Sequence, residues 1–258
     1  MKKTVATPTA QVGLTRSERW VLPALLALIA TAWAALWLLG GTSHAHQLPS
    51  HAPISLALRA SLFVGSWLLM TIAMMLPSVL PLVDLFRRLT RTRGDAPTLI
   101  VLLIAGYLLA YSAYGVVVFA AIELAAPTVG ALASGAHPAL IPGCLLLIAG
   151  AFQFSALKHR CLTECRTPLG FILRRWNGVQ PYWRSLRLGF DHGMFCVGCC
   201  WALMLLMFAV NVASLAWMLL LGAVMAAEKN FRFGNKLTSP LGALLLAAGA
   251  GLLVAGNV

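Results

Sequence analysis

Residues 188–210 read LGFDHGMFCVGCCWALMLLMFAV, a stretch with one acidic side chain and no lysine or arginine. A run of about 20 predominantly apolar residues is long enough for a helix to cross the hydrocarbon core of a bilayer. The whole chain has this character, because 60% of its 258 residues are hydrophobic and 10% are charged. Soluble domains carry about a quarter charged residues. The composition therefore excludes a water-soluble globular protein and predicts an all-α, polytopic transmembrane helical bundle.

Further apolar stretches on both sides of this one bring the number of predicted spans to seven. They cover residues 20–39, 54–83, 98–124, 140–157, 188–210, 212–227 and 240–258. The sixth, with 16 residues, is shorter than the roughly 20 that cross a bilayer, so the fifth and sixth spans could form a tight hairpin. Residues 1–17 are predicted to be a flexible cytoplasmic tail, and residues 18–258 a single integral membrane domain.

The basic residues predict how the bundle is oriented. Lys and Arg number 19 against 7 Asp and Glu, a net charge of +12. Eighteen of the 19 fall in four segments that the predicted spans place on one side: 1–19, 84–97, 158–187 and 228–239. Short cytoplasmic loops collect Lys and Arg. The pattern predicts a cytoplasmic N-terminus and an external C-terminus, with attraction to anionic lipid headgroups as a secondary effect and no role in nucleic-acid binding.

Two features near the N-terminus leave alternatives open. The first span could be a cleaved signal peptide, but its apolar core of 20 residues exceeds the usual 7 to 15 or so, and we favour a retained span. The polar segment after it reads HAHQLPSH, and its histidines could collect a metal ion at the outer surface: His44, His46 and His51.

Three of the six cysteines lie together in CVGCC, as Cys196, Cys199 and Cys200. On a helix these positions share one face, which His192 and Met207 extend in the two directions. Thiolate, imidazole and thioether are ligands that soft cations prefer, Cu(I) first and Zn(II) second. Cysteine also packs as a small apolar residue between membrane helices. Packing alone gives no reason to choose it over Gly or Ala three times, so a metal site is the favoured interpretation.

A second cysteine pair, Cys161 and Cys165 in CLTEC, lies in the basic segment 158–187. Neighbouring positive charges favour thiolate over thiol, which suits metal capture or redox chemistry. A helical CxxxC would place both sulfurs on one face, and a purely structural role remains open. The predicted cytoplasmic position argues against stable disulfides.

Further candidate ligands lie on other predicted spans. Met74 and Met75 precede Pro77 in AMMLPS, and proline in a membrane helix is tolerated where neighbours or a cavity satisfy the exposed carbonyls. Such a helix could present thioethers to the thiols. Glu228, at the cytoplasmic end of the sixth span, is a candidate ligand or proton acceptor.

These motifs together resemble the DUF2182 family, described as predicted metal-binding integral membrane proteins. The matching stretches are LKHRCLTECRTPLGF, GFDHGMFCVGCCWALML, AMMLPS and the Glu-Lys pair at 228 and 229, within residues 18–232. The resemblance implies a multi-pass protein of the bacterial inner membrane that binds metal, without an established activity or substrate. The positions that match the family's motif are Cys161, Cys165, His192, Cys196, Cys199, Cys200, Met74, Met75 and Glu228.

The favoured hypothesis is a membrane protein that binds a soft metal ion, above all Cu(I), and delivers or translocates it. Its partners would be the lipid bilayer and a metal chaperone or another small protein. The sequence contains no ATP-binding motif. Any movement of the metal ion would therefore follow a gradient, be coupled to protons or depend on a partner. Two alternatives stay open. One is a membrane thiol-redox protein using Cys199 with Cys200 or Cys161 with Cys165, and the other is a non-catalytic assembly subunit.

Overall fold

The computed structural model describes residues 18–40, 55–134, 139–209, 215–231 and 233–255. Within these ranges the chain forms nine α-helices and no strand, which confirms the all-α prediction. The helices are α1 (Glu18–Gly40), α2 (Leu56–Thr90), α3 (Ala96–Ser134), α4 (Leu140–Gln153), α5 (Ala156–Arg166), α6 (Pro168–Arg175), α7 (Pro181–Ala209), α8 (Leu215–Asn230) and α9 (Gly234–Ala255). The predicted tail 1–17 and the histidines of HAHQLPSH lie outside the described residues.

The described parts of the apolar stretches lie on helices, apart from the break between α4 and α5 and the N-cap Ser55 of α2, but the helices differ from the stretches in length. α2 and α3 run for 35 and 39 residues, and α2 continues through Pro77 and Pro81 as one helix. Five described helices are long and apolar enough to cross a membrane, or six if the bent pair of α4 and α5 counts as one span. α8 has only 16 residues and is not among them. The count of seven spans and the orientation of the termini therefore stay predictions.

The segment 158–187, which the sequence analysis treats as a connection between spans, is largely helical. α4 ends at Gln153, and α5 begins three residues later at an angle of 63° to it. Ser155 caps α5, since its hydroxyl accepts a hydrogen bond from the Lys158 backbone N–H at 3.1 Å, a role that serine commonly takes at helix N-termini. The bend carries the CLTEC motif back onto α7, so that Cys161 is buried and Cys165 is partly buried against α7.

α7 packs closely against α3 because both helices have glycine where they cross. A Cβ atom at Gly106 of α3 would collide with the backbone carbonyl of Leu186, and a Cβ atom at Gly189 of α7 with that of Leu103. Glycine lets the backbones of membrane helices approach in this way. Tyr107, one residue along from the crossing, is fully buried. The crossing fixes where α7 presents its cysteines.

Ion pairs link the helices at several ends. Arg59 is the basic residue outside the four clusters, and it pairs with Glu123 of α3, so α2 and α3 are joined there. Asp84 pairs with Arg87 and Arg88 on its own helix at 2.6 and 2.8 Å. Most of these charges are partly exposed, which is the usual arrangement for charged side chains near the ends of spans.

Candidate metal centre

The two cysteine motifs meet at one place between α5 and α7. Cys165, His192 and Cys196 each bring a ligand atom within 4.8 Å of the other two. The Sγ atoms of Cys165 and Cys196 are 3.2 Å apart. His192 and Cys196 lie one turn apart on α7 and therefore point to the same side, while Cys165 reaches them from α5. The sequence analysis treats CLTEC and CVGCC as separate motifs, and the structure places one cysteine of each in a single group.

The imidazole of His192 is buried and available for coordination. Its side chain is 2% exposed, and its Nδ1 has no hydrogen-bond partner among the described residues. Phe171 packs edge-on against the ring at a centroid distance of 5.1 Å, and Tyr107 lies at 6.2 Å. Burying a polar nitrogen without a partner costs free energy. A ligand that accepts the lone pair of this nitrogen would remove that cost.

Cys199 and Cys200 lie beside this three-donor group. Their thiols donate hydrogen bonds to the backbone carbonyl of Cys196, at 3.1 and 2.9 Å. The Cys200 sulfur is also 3.9 Å from the thioether of Met204. Met207, which the sequence analysis places on the cysteine face, is only partly buried. Each of these two thiols must therefore break its hydrogen bond to the Cys196 carbonyl before it can bind a metal ion.

Cys161 packs against the α7 backbone. Its sulfur lies directly over Gly198, so that a Cβ atom added there would be 2.7 Å from the Cys161 Sγ. Cys161 and Cys165 both face α7, as the CxxxC spacing predicts for a helix. Within the described residues, only Cys165 of this pair joins the three-donor group. Cys144 is exposed and lies apart from it.

Three charged side chains are buried next to the thiols. Lys158 Nζ donates to Glu228 Oε2 at 2.7 Å, and the two side chains are 0% and 3% exposed. Lys229 is buried as well, with its Nζ 3.9 Å from the Cys200 Sγ. Both lysines belong to the segments that predict the cytoplasmic orientation, whereas the structure places their side chains inside the bundle. Glu228, the candidate ligand, is engaged through one oxygen, and Oε1 has no hydrogen-bond partner in the described part of the chain.

The two candidate methionines of α2 point to different neighbours. The Met75 thioether lies 3.6 Å from the Lys229 Nζ, close to the thiols. Met74 packs against α8, where a Cβ atom at Gly222 would be 3.2 Å from its terminal methyl group. Both side chains are buried. Met75 is thus the better placed of the two to serve as an additional thioether ligand.

Several aromatic residues at the site were not singled out from the sequence. Tyr111 places its hydroxyl 3.7 Å from the Cys200 Sγ, and Tyr107 donates to the Met75 carbonyl at 3.3 Å. Phe171 covers the His192 ring from α6. In an apolar helix a tyrosine carries no spacing signal of its own. Tyr107 and Tyr111 lie four residues apart on one predicted span, and this spacing is the sequence signal that places both side chains on the same face of the helix.

The comparisons with known proteins agree with this chemistry. No curated protein and no solved structure was found to match the chain. A family model described as a copper chaperone, PpoB2, matches residues 64–252, which contain all three ligand atoms of the group and the charged residues beside it. The match covers well over half of the 258 residues. The chain therefore belongs to the PpoB2 family of copper chaperones.

Proposed function

We propose that the protein is a membrane-embedded copper carrier that holds Cu(I) between α5 and α7 and passes it to a protein partner. The observation that carries the proposal is the convergence of Cys165, His192 and Cys196. Two thiolates and an imidazole form a soft donor set that suits Cu(I). Membership of a copper chaperone family supports the same metal.

The spacing of the donors fits a shared ion after a small adjustment. Metal bonds to Cys and His are about 2.0 to 2.3 Å long, so two donors of one ion lie no more than about 4.6 Å apart. The three donor atoms lie within 4.8 Å of one another, and small side-chain rotations close the difference. Three donors suit the low coordination numbers of Cu(I), whereas structural zinc sites take four protein ligands. Zn(II) is therefore the second choice.

The charge of the surroundings also favours a monovalent ion. Lys158 and Glu228 neutralise each other through their ion pair. Lys229 is a further buried positive charge, and metal binding would deprotonate Cys165 and Cys196 to two thiolates beside it. With Cu(I) bound, these four charges sum to zero, whereas Zn(II) would leave one positive charge uncompensated. An uncompensated charge inside a protein is costly, so Lys229 supports Cu(I) over Zn(II) at a two-thiolate site.

Neighbouring sulfur atoms offer a route for the ion to leave. Cys199 and Cys200 can turn from the Cys196 carbonyl to the ion, and the Met75 thioether lies beyond them next to Lys229. Stepwise exchange of one sulfur ligand for another moves copper without releasing it as a free ion. We assign this route to delivery to a partner protein; translocation across the bilayer would use the same sulfurs.

The membrane arrangement forms part of the proposal. We infer seven spans in the bacterial inner membrane, with the N-terminus in the cytoplasm and the C-terminus outside. The five or six helices that meet the length and apolarity criteria support this inference, as does the distribution of basic residues. In this arrangement the fourth span ends at the cytoplasmic face. The metal centre would lie near that face, because α5 follows directly after the bend at the end of α4.

Metal analysis of the purified protein tests the proposal. Wild-type protein extracted in mild detergent and loaded with Cu(I) under reducing conditions should retain about one copper ion per chain. Cys165→Ser and Cys196→Ser should each lower copper affinity by about 100-fold or more, because even outer-shell changes at metal sites cost 10- to 100-fold. Cys144→Ser, at the exposed cysteine, is the matched control and should bind copper as the wild type does. Copper binding by the two site variants equal to that of the control would refute the proposal.

A thiol-redox function is the second candidate, and the structure favours a different cysteine pair for it. The Cys165 and Cys196 sulfurs are 3.2 Å apart, so after a small approach they could form a disulfide by thiol–disulfide exchange, in which the disulfide of a partner protein takes up the two electrons and two protons and leaves as two thiols. Of the pairs named from the sequence, Cys199 and Cys200 also interact through their side chains, but a disulfide between neighbouring residues of a chain is strained. A mixed disulfide with a partner that forms on Cys165 or Cys196, and that survives copper chelation, would favour this function over metal delivery.

A further inference from the structure

A second site lies beside the metal centre, at the start of α7. A cavity of about 510 Å³ opens between α6 and the first turns of α7. Its lining contains one carboxylate, that of Asp191, and four guanidinium groups: Arg174, Arg175, Arg184 and Arg187. No step of copper binding or transfer described above uses these arginines.

Two of the four arginines already have carboxylate partners. Arg175 pairs with Asp191 at 3.3 Å, and Arg174 pairs with Glu164 of α5. Arg184 donates to the backbone carbonyl of Arg175 at 3.4 Å. Across the part of the chain that the structure describes, neither Arg184 nor Arg187 has a carboxylate partner. The cavity therefore holds positive charge that its own acidic residues leave uncompensated.

The start of α7 adds to the positive field. The helix begins at Pro181, and Gln180, which precedes it, also lines the cavity. The N-terminus of a helix carries partial positive charge on its unpaired backbone N–H groups. An anion in the cavity would lie beside the two arginines and in the positive field of the first turn of α7, an arrangement that favours a phosphate.

The position of the cavity along α7 indicates where the anion comes from. It lies where the polar first turns of α7 give way to the apolar stretch that begins at Leu188. Tyr182 and Trp183 are 51% and 60% exposed at this level. Amphipathic aromatic rings of this kind are enriched at the headgroup level of membranes. Leu173 of α6, 64% exposed, provides an apolar surface for acyl chains next to the arginines.

We propose that this cavity binds the phosphate of an anionic phospholipid, with Arg184 and Arg187 as the principal contacts. Guanidinium groups bind phosphate through paired hydrogen bonds, and basic pockets at the cytoplasmic ends of membrane helices bind anionic headgroups. The proposal rests on the membrane location in the proposed function and is independent of copper. Arg175 stacks on the Phe171 ring at 4.1 Å, and Phe171 covers His192, so the lipid site and the metal centre share α6.

Lipid retention tests the proposal. The protein is extracted in mild detergent and reconstituted into nanodiscs of mixed phosphatidylglycerol and phosphatidylcholine, and retained lipid is identified by native mass spectrometry. The double variant Arg184→Gln/Arg187→Gln leaves the Arg175 stack in place. Basic residues near an anionic membrane surface each strengthen binding of the headgroups, so the double variant should retain phosphatidylglycerol about 30-fold less well. Arg88→Gln/Arg91→Gln removes two charges at the end of α2, outside the cavity lining, and should retain phosphatidylglycerol as the wild type does.

Each alternative outcome has a defined meaning. Equal retention by the two double variants would overturn the site. Equal retention of phosphatidylcholine would show that the anionic headgroup is not recognised. Displacement of the lipid by millimolar inorganic phosphate, with loss of phosphate binding in Arg184→Gln/Arg187→Gln, would assign the cavity to a free anion and overturn the lipid assignment. Copper content is measured on the same samples: its absence from wild type refutes copper carriage and leaves the lipid result intact, whereas wild-type protein that is not recovered with membranes refutes the membrane location itself.

Discussion

α7 contacts two neighbouring helices, α3 and α5, in different ways. One contact is made by backbone atoms and the other by cysteine side chains. Towards α3, contact is made by backbone atoms, because Gly106 and Gly189 leave no side chain between the helices. Towards α5, contact is made by sulfur atoms: Cys165 meets Cys196, and Cys161 lies over Gly198. The first interface joins two helices of 39 and 29 residues, whereas the second holds a helix of 11.

This difference indicates which element can move when copper enters or leaves. Separating α3 from α7 would break a long, closely packed crossing, and we expect it to occur only on unfolding. α5 follows a 63° bend, and the Lys158–Glu228 ion pair ties it to α8. We expect α5 to open at a lower free-energy cost, because short elements with few buried contacts open locally before the rest of a fold does. Such an opening would carry Cys165 away from His192 and Cys196.

The largest effect is expected from breaking the α3 interface. In Gly189→Leu, the new Cβ atom would overlap the carbonyl oxygen of Leu103. A backbone atom cannot move aside as the end of a flexible side chain can. We expect destabilisation by more than about 5 kcal/mol, the range reserved for severe packing defects, and loss of folded protein in detergent. Thermal unfolding followed by circular dichroism measures this.

Gly65→Leu is the matched control, since a Cβ atom at Gly65 of α2 has no neighbouring atom within 4 Å. The control should fold and melt close to the wild type. If Gly189→Leu melted at the same temperature as Gly65→Leu, the close α3–α7 crossing would be incorrect. The expectation that separating α3 from α7 costs more free energy than separating α5 from α7 would then be wrong.

Local sequence signals predict the helices and their cysteine face, but not the interfaces between the helices. The apolar stretches predict helices because length and composition are local properties, and the CVGCC spacing predicts a shared face for the same reason. The partner of Cys196 is set by tertiary structure. Residues 140–157 are predicted as one span, and no local signal predicts that the chain bends at Ser155, so that α5 turns back towards α7 and brings Cys165 to within 3.2 Å of Cys196.

The buried lysines show a second limit of sequence reasoning. A lysine at the end of an apolar stretch is typical of cytoplasmic orientation signals, and Lys158 and Lys229 satisfy that pattern. Their burial depends on a carboxylate and on sulfur atoms from other helices. Composition cannot distinguish a lysine that reaches the headgroups from one that turns inward. The charge balance of the metal centre therefore emerged only from the structure.

An intermediate effect is expected from Glu228→Gln, which tests how α5 is held. This change leaves Lys158 buried beside a neutral group, and loss of one partner of a buried ion pair costs about 3 kcal/mol or somewhat more. We expect a lower melting temperature together with weaker copper retention, because α5 carries Cys165. Melting and copper content are measured on the same preparation.

The double variant Lys158→Met/Glu228→Gln sharpens this result. It removes both charges, and replacing a buried ion pair by uncharged groups is often close to neutral. Recovery of both stability and copper would show that Glu228 acts by anchoring α5. Recovery of stability without copper would instead support Glu228 as a metal ligand, and no recovery at all would contradict the electrostatic explanation.

The smallest effect is expected from Gly198→Ala, which alters the α5 interface by one methyl group and removes no donor atom. The new Cβ atom would lie 2.7 Å from the Cys161 sulfur, which is closer than van der Waals contact, so α5 or the Cys161 side chain must shift. We expect a stability loss of about 1 kcal/mol and a decrease in copper affinity of about tenfold, equivalent to about 1.4 kcal/mol.

Cys161→Ala/Gly198→Ala should restore copper affinity, because the Cys161 Cβ atom is 3.6 Å from the new methyl group and makes an ordinary contact. Competition with a Cu(I) chelator measures each affinity, and Cys161→Ala alone is the control. If the double variant bound copper no better than Gly198→Ala while Cys161→Ala also lost copper, Cys161 would be a ligand and the α5 interface would be more than a packing contact.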